Sequence, residues 1–202
     1  MKNTKKALLA LTCAVMLVVG SVMGTMAYLT STDEVVNTFT VGNVKITLDE
    51  AKVDENGKEV EPEVRVKENS YKLLPGHEYD KDPTVHVDAT SEDAWIFVEI
   101  TNEIAAIEDE ATVAAQMATN GWTLVEGETN VYKYKEVVSG GEDVVVFETI
   151  KIKGAVENEE LAEYTENTIK VVAYAIQEDG FATADAAWAA AHGQFEKETP
   201  AQ

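Results

Sequence analysis

Residues 94–101 read AWIFVEIT and are almost continuously apolar. Aromatic and β-branched residues favour strands, and an apolar segment of this length is typical of a central strand in a β-sandwich. Residues 168–177, which read TIKVVAYAIQ, predict another long strand. These two segments indicate that sheet structure forms the core of the protein.

Shorter segments around these two show the alternation of apolar and polar residues that is typical of strands. Val44, Ile46 and Leu48 alternate with polar neighbours. Further strands are predicted at residues 64–66, 84–87, 122–125, 131–138 and 144–153. With the strand predicted at residues 38–41, the total is about nine, which favours an all-β sandwich.

Two or three short helices interrupt the predicted strands. One begins near residues 108–110, whose negative charges suit the first turn of a helix, and ends at Asn120. Another covers residues 158–164. The last is capped by Thr183, runs to His192 and is expected to stop at Gly193.

The charge of the chain excludes two classes of partner. Its 16 basic and 37 acidic residues give a formal net charge of −21. Nucleic-acid binding needs a cationic face for the phosphates, and docking on an anionic membrane needs a basic patch. The apolar content of 45%, arranged periodically, also argues against disorder.

The first 27 residues have the pattern of a signal peptide. Its positive region consists of Lys2, Lys5 and Lys6. An apolar run follows, and Thr25 and Ala27 supply the small residues needed at positions −3 and −1. We expect cleavage between Ala27 and Tyr28, which leaves a single secreted domain at residues 28–202 with a net charge of −24 and no stable membrane span. An uncleaved anchor is the alternative, because the run is long enough to cross a bilayer.

Cysteine use agrees with export but provides no disulfide. Cys13 is the only cysteine and lies in the leader. The mature chain would therefore have none, and its core alone would have to supply the stability.

Two histidines and three carboxylates form the best candidate metal site. The cluster consists of His77, Glu78, Asp80, Asp82 and His86. Nitrogen and oxygen ligands of this kind hold divalent cations. However, the chain has no HExxH motif, and His86 occupies a mid-strand position that is expected to face solvent. We therefore expect a solvated surface here and no bound metal.

No motif predicts catalysis or a cofactor. Outside the predicted leader, Ser139 is the only serine beside a glycine, and it lies in a predicted hairpin turn with no histidine nearby in sequence. The same turn lacks the helix and the lysine of a phosphate-binding loop. The tryptophans are expected in the core; they are Trp95, Trp122 and Trp188.

Residues 27–32 (AYLTST) and 37–44 (NTFTVGNV) resemble the amino-terminal motif of the TasA/camelysin family. These are secreted Gram-positive proteins whose signal peptides are removed by the SipW signal peptidase. Residues 74–79 resemble the family's Leu-x-Pro-Gly-Asp segment, with His77 in place of the aspartate. Residues 168–187 resemble the carboxyl-terminal strand and helix of clostridial members, whereas residues 108–155 show no such likeness.

The resemblance implies a jelly-roll-like β-sandwich that is retained at the cell surface or in the extracellular matrix of a biofilm. In fibre-forming members, the segment after the cleavage site completes the sheet of the next subunit. Here that donor strand would lie within residues 28–41 and would consist of Thr38, Phe39, Thr40 and Val41. The alternative is that residues 28–41 form a strand or arm of their own domain.

The residue patterns and the resemblance together suggest three candidate functions. The first is a secreted, non-catalytic structural protein that associates with itself and forms fibres. The second is a secreted binding module for a carbohydrate or a host protein. The third is a camelysin-like metallopeptidase, which the absence of a zinc motif disfavours.

Overall fold

The structure, a computed structural model, describes residues 43–198. The predicted cleavage site between Ala27 and Tyr28 and the predicted donor strand at residues 38–41 lie outside the described residues. The strands of the described part are β1 (Ile46–Ala51), β2 (Arg65–Val66), β3 (Glu78–Asp80), β4 (Thr84–Val87), β5 (Ala94–Asn102), β6 (Trp122–Leu124), β7 (Val131–Tyr134), β8 (Asp143–Val145), β9 (Thr149–Lys151) and β10 (Ile169–Gln177). The α-helices are α1 (Val113–Thr119), α2 (Asn158–Leu161) and α3 (Ala184–Glu198), and 3-10 turns lie at Ala105–Ile107 and Ala162–Tyr164.

The strands form two four-stranded sheets and a two-stranded ribbon. The first sheet has the order β2-β1-β4-β8, the second has the order β10-β5-β7-β6, and β3 pairs with β9. All pairs are antiparallel. The longest pair joins β5 to β10, from Ala94 opposite Gln177 to Asn102 opposite Ile169. The prediction of an all-β sandwich with short helices is confirmed.

The main core lies between the two sheets. Successive side chains of a strand face opposite sides, so alternate residues of β5, such as Ile96 and Val98, point into this core. Val85 of β4 and Val144 of β8 meet them from the first sheet. Each fully buried side chain of this size contributes about 1.5–3 kcal/mol to folding.

A second apolar layer lies on the other face of β5, under α3. It contains Phe97 of β5, Ile176 of β10 and Trp188 of α3. The rings of Phe97 and Trp188 have their centroids 5.0 Å apart. At the start of the helix, Asp185 accepts a hydrogen bond from Lys133 of β7. Helix α3 therefore acts as a cover for the outer face of the second sheet.

The tryptophans differ in burial. Trp122 and Trp188 are buried as predicted. Trp95 is only half-buried, so the prediction of a core position does not fully hold for it. Its Nε1 atom is itself buried and has no hydrogen-bond partner among the described residues.

Helix α3 begins where predicted but ends later. Thr183 Oγ1 accepts a hydrogen bond from Ala186 N at 3.2 Å, which caps the helix. The prediction that Gly193 stops the helix is wrong, because the helix continues to Glu198. The ring of Phe195 lies 4.9 Å from that of Tyr174 on β10, and this packing outweighs the roughly 1 kcal/mol that glycine costs a helix. Among the described residues, no helix has the length and apolarity needed to cross a bilayer.

The prediction of a helix with Glu108 in its first turn is wrong. The Glu108 side chain is buried, and it accepts hydrogen bonds from Asn102 Nδ2 at 2.9 Å and Val113 N at 3.3 Å. The helix starts later, after Thr112, whose Oγ1 accepts from Ala115 N at 3.2 Å. Glu108 therefore serves as a buried hydrogen-bond acceptor and not as a charge in the first turn of the helix. The local charge pattern did not reveal this burial.

The prediction of one strand over residues 144–153 is also wrong. Val146 and Phe147 are consecutive and both fully buried, whereas a regular strand buries only alternate side chains. The chain therefore leaves β8, which pairs with β4, and pairs again as β9 with β3.

Candidate functional site

The two histidines of the candidate metal site belong to different parts of the fold. His77 precedes β3, and its Nε2 atom lies 2.7 Å from the carbonyl of Asn56. His86 lies on β4, with Nε2 at 2.9 Å from Asp49 Oδ1 and Nδ1 at 2.7 Å from Asp143 Oδ1. The His86 side chain is 29% exposed, so it faces solvent only in part. Both imidazoles therefore already contact acceptors of their own fold.

Two of the three candidate carboxylates are paired with cations. Asp80 accepts from Lys58 Nζ at 2.8 Å, and Asp82 accepts from Arg65. Glu78 is exposed on β3. Within residues 43–198, no three side chains of His, Cys, Asp or Glu are grouped as a metal ion would require. The structure does not bring the five predicted ligands together.

A chain of ion pairs crosses all four strands of the first sheet instead. Arg65 of β2 contacts Asp49 of β1 at 2.8 Å, and Asp49 contacts His86 of β4, which contacts Asp143 of β8. Burial opposes the charge on His86, but the hydrogen bonds to Asp143 and Asp49 outweigh it and raise the pKa of the imidazole. For Asp49, burial is outweighed by Arg65 and His86, so the pKa of its carboxyl is lowered. We call these four residues the charge ladder.

The free edge of β10 is the feature that sequence reasoning missed. β10 is the last strand of its sheet and pairs only with β5 among the described residues. Thr168 O accepts from Glu103 N at 3.1 Å just before the strand. Asp93 O accepts from Glu178 N at 2.8 Å just after it. Since backbone groups alternate in direction along an antiparallel strand, the odd-numbered residues direct their N–H and C=O groups away from β5; these are Ile169, Val171, Ala173, Ala175 and Gln177.

The start of β1 lies across from this edge and is also unpaired on one side. Lys45 O accepts from Asp88 N at 2.9 Å on the β4 side, so the alternation directs the backbone groups of Ile46 to the other side. There β2 pairs only with the last two residues of β1. Both strands therefore present backbone groups that no described strand satisfies.

Half-buried apolar side chains line the gap between these two strands. We call this gap the seam; its residues are Val44, Ile46, Leu48, Ile169, Val171, Ala173 and Ala175. All of them pack against the main core, yet all keep part of their surface exposed. Covering such surface is favourable at roughly 25 cal/mol per Å².

Two cavities open along the seam. The smaller, of about 600 Å³, is lined by Val44, Ile46 and Ala175 on the inner side of β10 and by Tyr174 and Phe195 on its outer side. It therefore wraps around the free edge. The larger, of about 1110 Å³, lies at the other end of the seam, beside residues 67–73.

The larger cavity has a polar floor. Lys81 and Glu50 form a buried ion pair there, with side chains 10% and 6% exposed. Asn69 Nδ2 donates to Glu50 Oε1 at 3.0 Å. Burial, followed by the nearby charge of Glu50, raises the pKa of Tyr71 well above its ordinary value. The floor groups thus satisfy one another within the fold.

The sequence predicts the strand at residues 168–177 but not its position in the sheet. One local signal was present, since Lys170 is a charged residue in an otherwise apolar strand, and charged residues are common on edge strands. Comparison with protein-family models, with curated proteins and with solved structures gives no match to this chain.

Proposed function

We propose that this protein is a secreted, non-catalytic structural protein of the cell surface or extracellular matrix that associates with itself by strand addition. The observation that carries the proposal is the free edge of β10 beside the half-buried seam. A sheet edge of this kind is a template for pairing with another chain. A strand added there would form main-chain hydrogen bonds and cover the seam at the same time.

The proposed donor is the segment of residues 38–41 from a second copy. Phe39 and Val41 alternate with Thr38 and Thr40, so one face of the added strand would be apolar. That face matches the seam, and the threonine hydroxyls would lie on the other side. The resemblance of residues 27–44 to the TasA/camelysin motif supports the same role and supports secretion after removal of the leader by a SipW-type peptidase.

Assembly is expected to depend on solution conditions because every copy carries a large negative charge. Without Lys2, Lys5 and Lys6 the formal net charge is −24. Copies that approach one another repel, and salt screens this repulsion beyond about 8–10 Å. Acid, salt or divalent cations should therefore favour association.

A matched pair of proline variants tests the role of the edge. Ala173→Pro removes an N–H that points away from β5 and places a ring on the free edge, so it should block strand addition. Leu124→Pro does the same on β6, at the opposite edge of the same sheet, because Val125 N bonds to Val131 O and leaves Leu124 facing outward. Assembly is followed by sedimentation and electron microscopy of the mature protein at pH 5 and pH 8.

The proposal expects polymers from the wild type and from Leu124→Pro, and monomers from Ala173→Pro. Circular dichroism and thermal melting check that both variants remain folded. A wild type that stays monomeric at high concentration across this pH range, with and without Ca²⁺, overturns the proposal. Polymers from Ala173→Pro would place the contact on another surface.

A second candidate function is a binding module, and the larger cavity favours it. Its volume of about 1110 Å³ is at the upper limit of small-molecule sites, and the half-buried rings of Tyr71 and Tyr164 offer aromatic contacts for a sugar. Binding of soluble wall glycans by a mature protein that never polymerises would favour this candidate. Casein hydrolysis that a chelator abolishes would favour the metallopeptidase.

A further inference from the structure

We propose that lysines around the larger cavity recognise the acidic pair Asp33–Glu34 of the incoming strand and so orient that strand parallel to β10. This inference rests on the proposed function, because the ligand is the amino-terminal segment of a second copy. It adds the direction of the strand and the residues that determine it.

Three lysines line the larger cavity without a carboxylate partner. They are Lys67, Lys72 and Lys170. Among the described residues, no Asp or Glu oxygen lies within 4.0 Å of their ammonium groups, although the chain has 37 acidic and only 16 basic residues. Lys67 donates instead to the carbonyl of Leu48 on β1. Unpaired cations gathered at one cavity of so acidic a chain indicate a site for an anionic group.

The four acidic residues around this cavity only balance its four lysines, so its lining is locally neutral in a chain whose formal net charge is −21. Glu50 and Asp49 also line it, but Glu50 is paired with Lys81, and Asp49 belongs to the charge ladder. Two glutamates remain, Glu68 and Glu166. The cavity lining thus contains three unpaired lysines and two unpaired carboxylates, whereas acidic residues outnumber basic residues more than twofold in the whole chain.

The other end of β10 has the opposite character. Glu178 and Asp179 follow the strand directly, and Glu178 N bonds to the carbonyl of Asp93. An acidic segment would be repelled there and attracted at the end that carries Lys170. Complementary charge of this kind sets orientation more than it sets affinity.

The spacing along the two strands agrees with this orientation. Glu34 and Phe39 are five residues apart, and so are Lys170 and Ala175. Both intervals span about 16 Å in extended backbone. With Glu34 beside Lys170, Phe39 therefore reaches the smaller cavity at Ala175, between the apolar residues of the seam and Phe195.

The binding test uses the mature protein and a synthetic peptide of residues 28–41. Lys170→Glu should weaken binding of the peptide about tenfold, since an attraction becomes a repulsion. Lys52→Glu is the matched control, because Lys52 is exposed, has no carboxylate partner within residues 43–198 and lines neither cavity. A Glu34→Lys peptide should bind Lys170→Glu better than the wild-type peptide does.

Cross-linking tests the direction independently of charge. The mature protein has no cysteine, so Val171→Cys provides a single thiol on the free edge. In the parallel orientation it lies beside residue 35 of the peptide. In the antiparallel orientation, with Phe39 and Val41 still facing the seam over residues 171–177, it lies beside residue 41. We expect a disulfide with the Val35→Cys peptide and little with the Val41→Cys peptide.

The outcomes separate this inference from the proposed function. A peptide whose binding is unchanged by Lys170→Glu, or that cross-links through residue 41, overturns the orientation and leaves strand addition intact. Equal weakening by Lys170→Glu and Lys52→Glu would assign the effect to net charge and also overturns the inference. A peptide that does not bind at all overturns both.

Discussion

His86 Nε2 on β4 lies 2.9 Å from Asp49 Oδ1 on β1, and this contact lies at the centre of the charge ladder across the first sheet. Arg65 extends the ladder to β2 and Asp143 extends it to β8. The four residues come from distant parts of the sequence and meet only because the strands are ordered β2-β1-β4-β8. The ladder therefore connects all four strands of the first sheet, in which β1 borders the seam.

The ladder makes the stability of the protein dependent on pH. The pKa of His86 is raised on folding, so its contribution is fully present below the unfolded value of about 6.5 and is lost as the pH rises through the folded value. The pKa of Asp49 is lowered, so its contribution is present above about pH 4 and is lost as the pH falls through its folded value. The ladder is thus strongest between about pH 4 and 6.5.

We expect His86→Gln to remove this dependence near neutral pH. The free energy of unfolding of the wild type should exceed that of the variant by up to about 1 kcal/mol at pH 5.5, with a smaller difference at pH 8.5. Urea unfolding at both pH values measures the difference, and the subtraction cancels the general repulsion among the acidic residues. A difference that is the same at both pH values would contradict the prediction.

The buried pair of Glu50 and Lys81 should be costly to break. Lys81→Met leaves the carboxylate of Glu50 buried with Asn69 as its one side-chain partner in the described part of the chain, which should lower the free energy of unfolding by about 3–5 kcal/mol. Lys58→Met is the matched control, because the Lys58 and Asp80 side chains are 49% and 35% exposed. Such an exposed pair should cost less than about 1 kcal/mol.

The double variant Glu50→Gln with Lys81→Met separates pairing from burial. Its loss of stability should be well below the sum of the two single losses, since neither charge then remains unpaired. Additive losses would show that the two groups do not interact in solution.

Gly57 should not tolerate a side chain. Its φ is +72°, and a Cβ atom there would lie 2.3 Å from Cδ1 of Tyr79, whose ring is buried. Gly57→Ala should therefore lower the free energy of unfolding by about 2–4 kcal/mol, through backbone strain and displacement of the ring. Gly127→Ala is the control, because Gly127 has a φ of +87° with no heavy atom within 4 Å, and it should cost only about 1 kcal/mol. Thermal or urea unfolding of both variants measures these losses. Equal losses would show that the positive φ, and not the contact with Tyr79, causes the whole destabilisation.

Trp188 should hold helix α3 on the second sheet. Its ring packs on Phe97 and Tyr174, and its Nε1 atom donates to Glu128 at 3.0 Å. Trp188→Ala should lower the free energy of unfolding by about 3–5 kcal/mol and should speed hydrogen exchange in α3 more than in β4. Phe195→Ala, at a half-buried position, should cost less. Uniform exchange across both elements would show that the helix does not open separately.

The sequence by itself determined the class of the fold. Residues 94–101 and 168–177 are apolar over a length that suits strands, and both form long strands in the structure. The same local information located the cap at Thr183, because a hydroxyl before a helix needs only the next turn as its partner. It failed at Glu108 and Gly193, where contacts with distant residues decide the conformation.

Only the tertiary structure decided which strand has a free edge and which charges meet. Strand order depends on pairing between segments such as β5 and β10, which are far apart in the chain, and alternation within one segment carries no information about its neighbours. For the same reason, the sequence grouped His77 with His86, whereas the structure joins His86 to Asp49 and Asp143. Hydrophobic periodicity is a local property, but an edge and a charge ladder exist only after the sheets have formed.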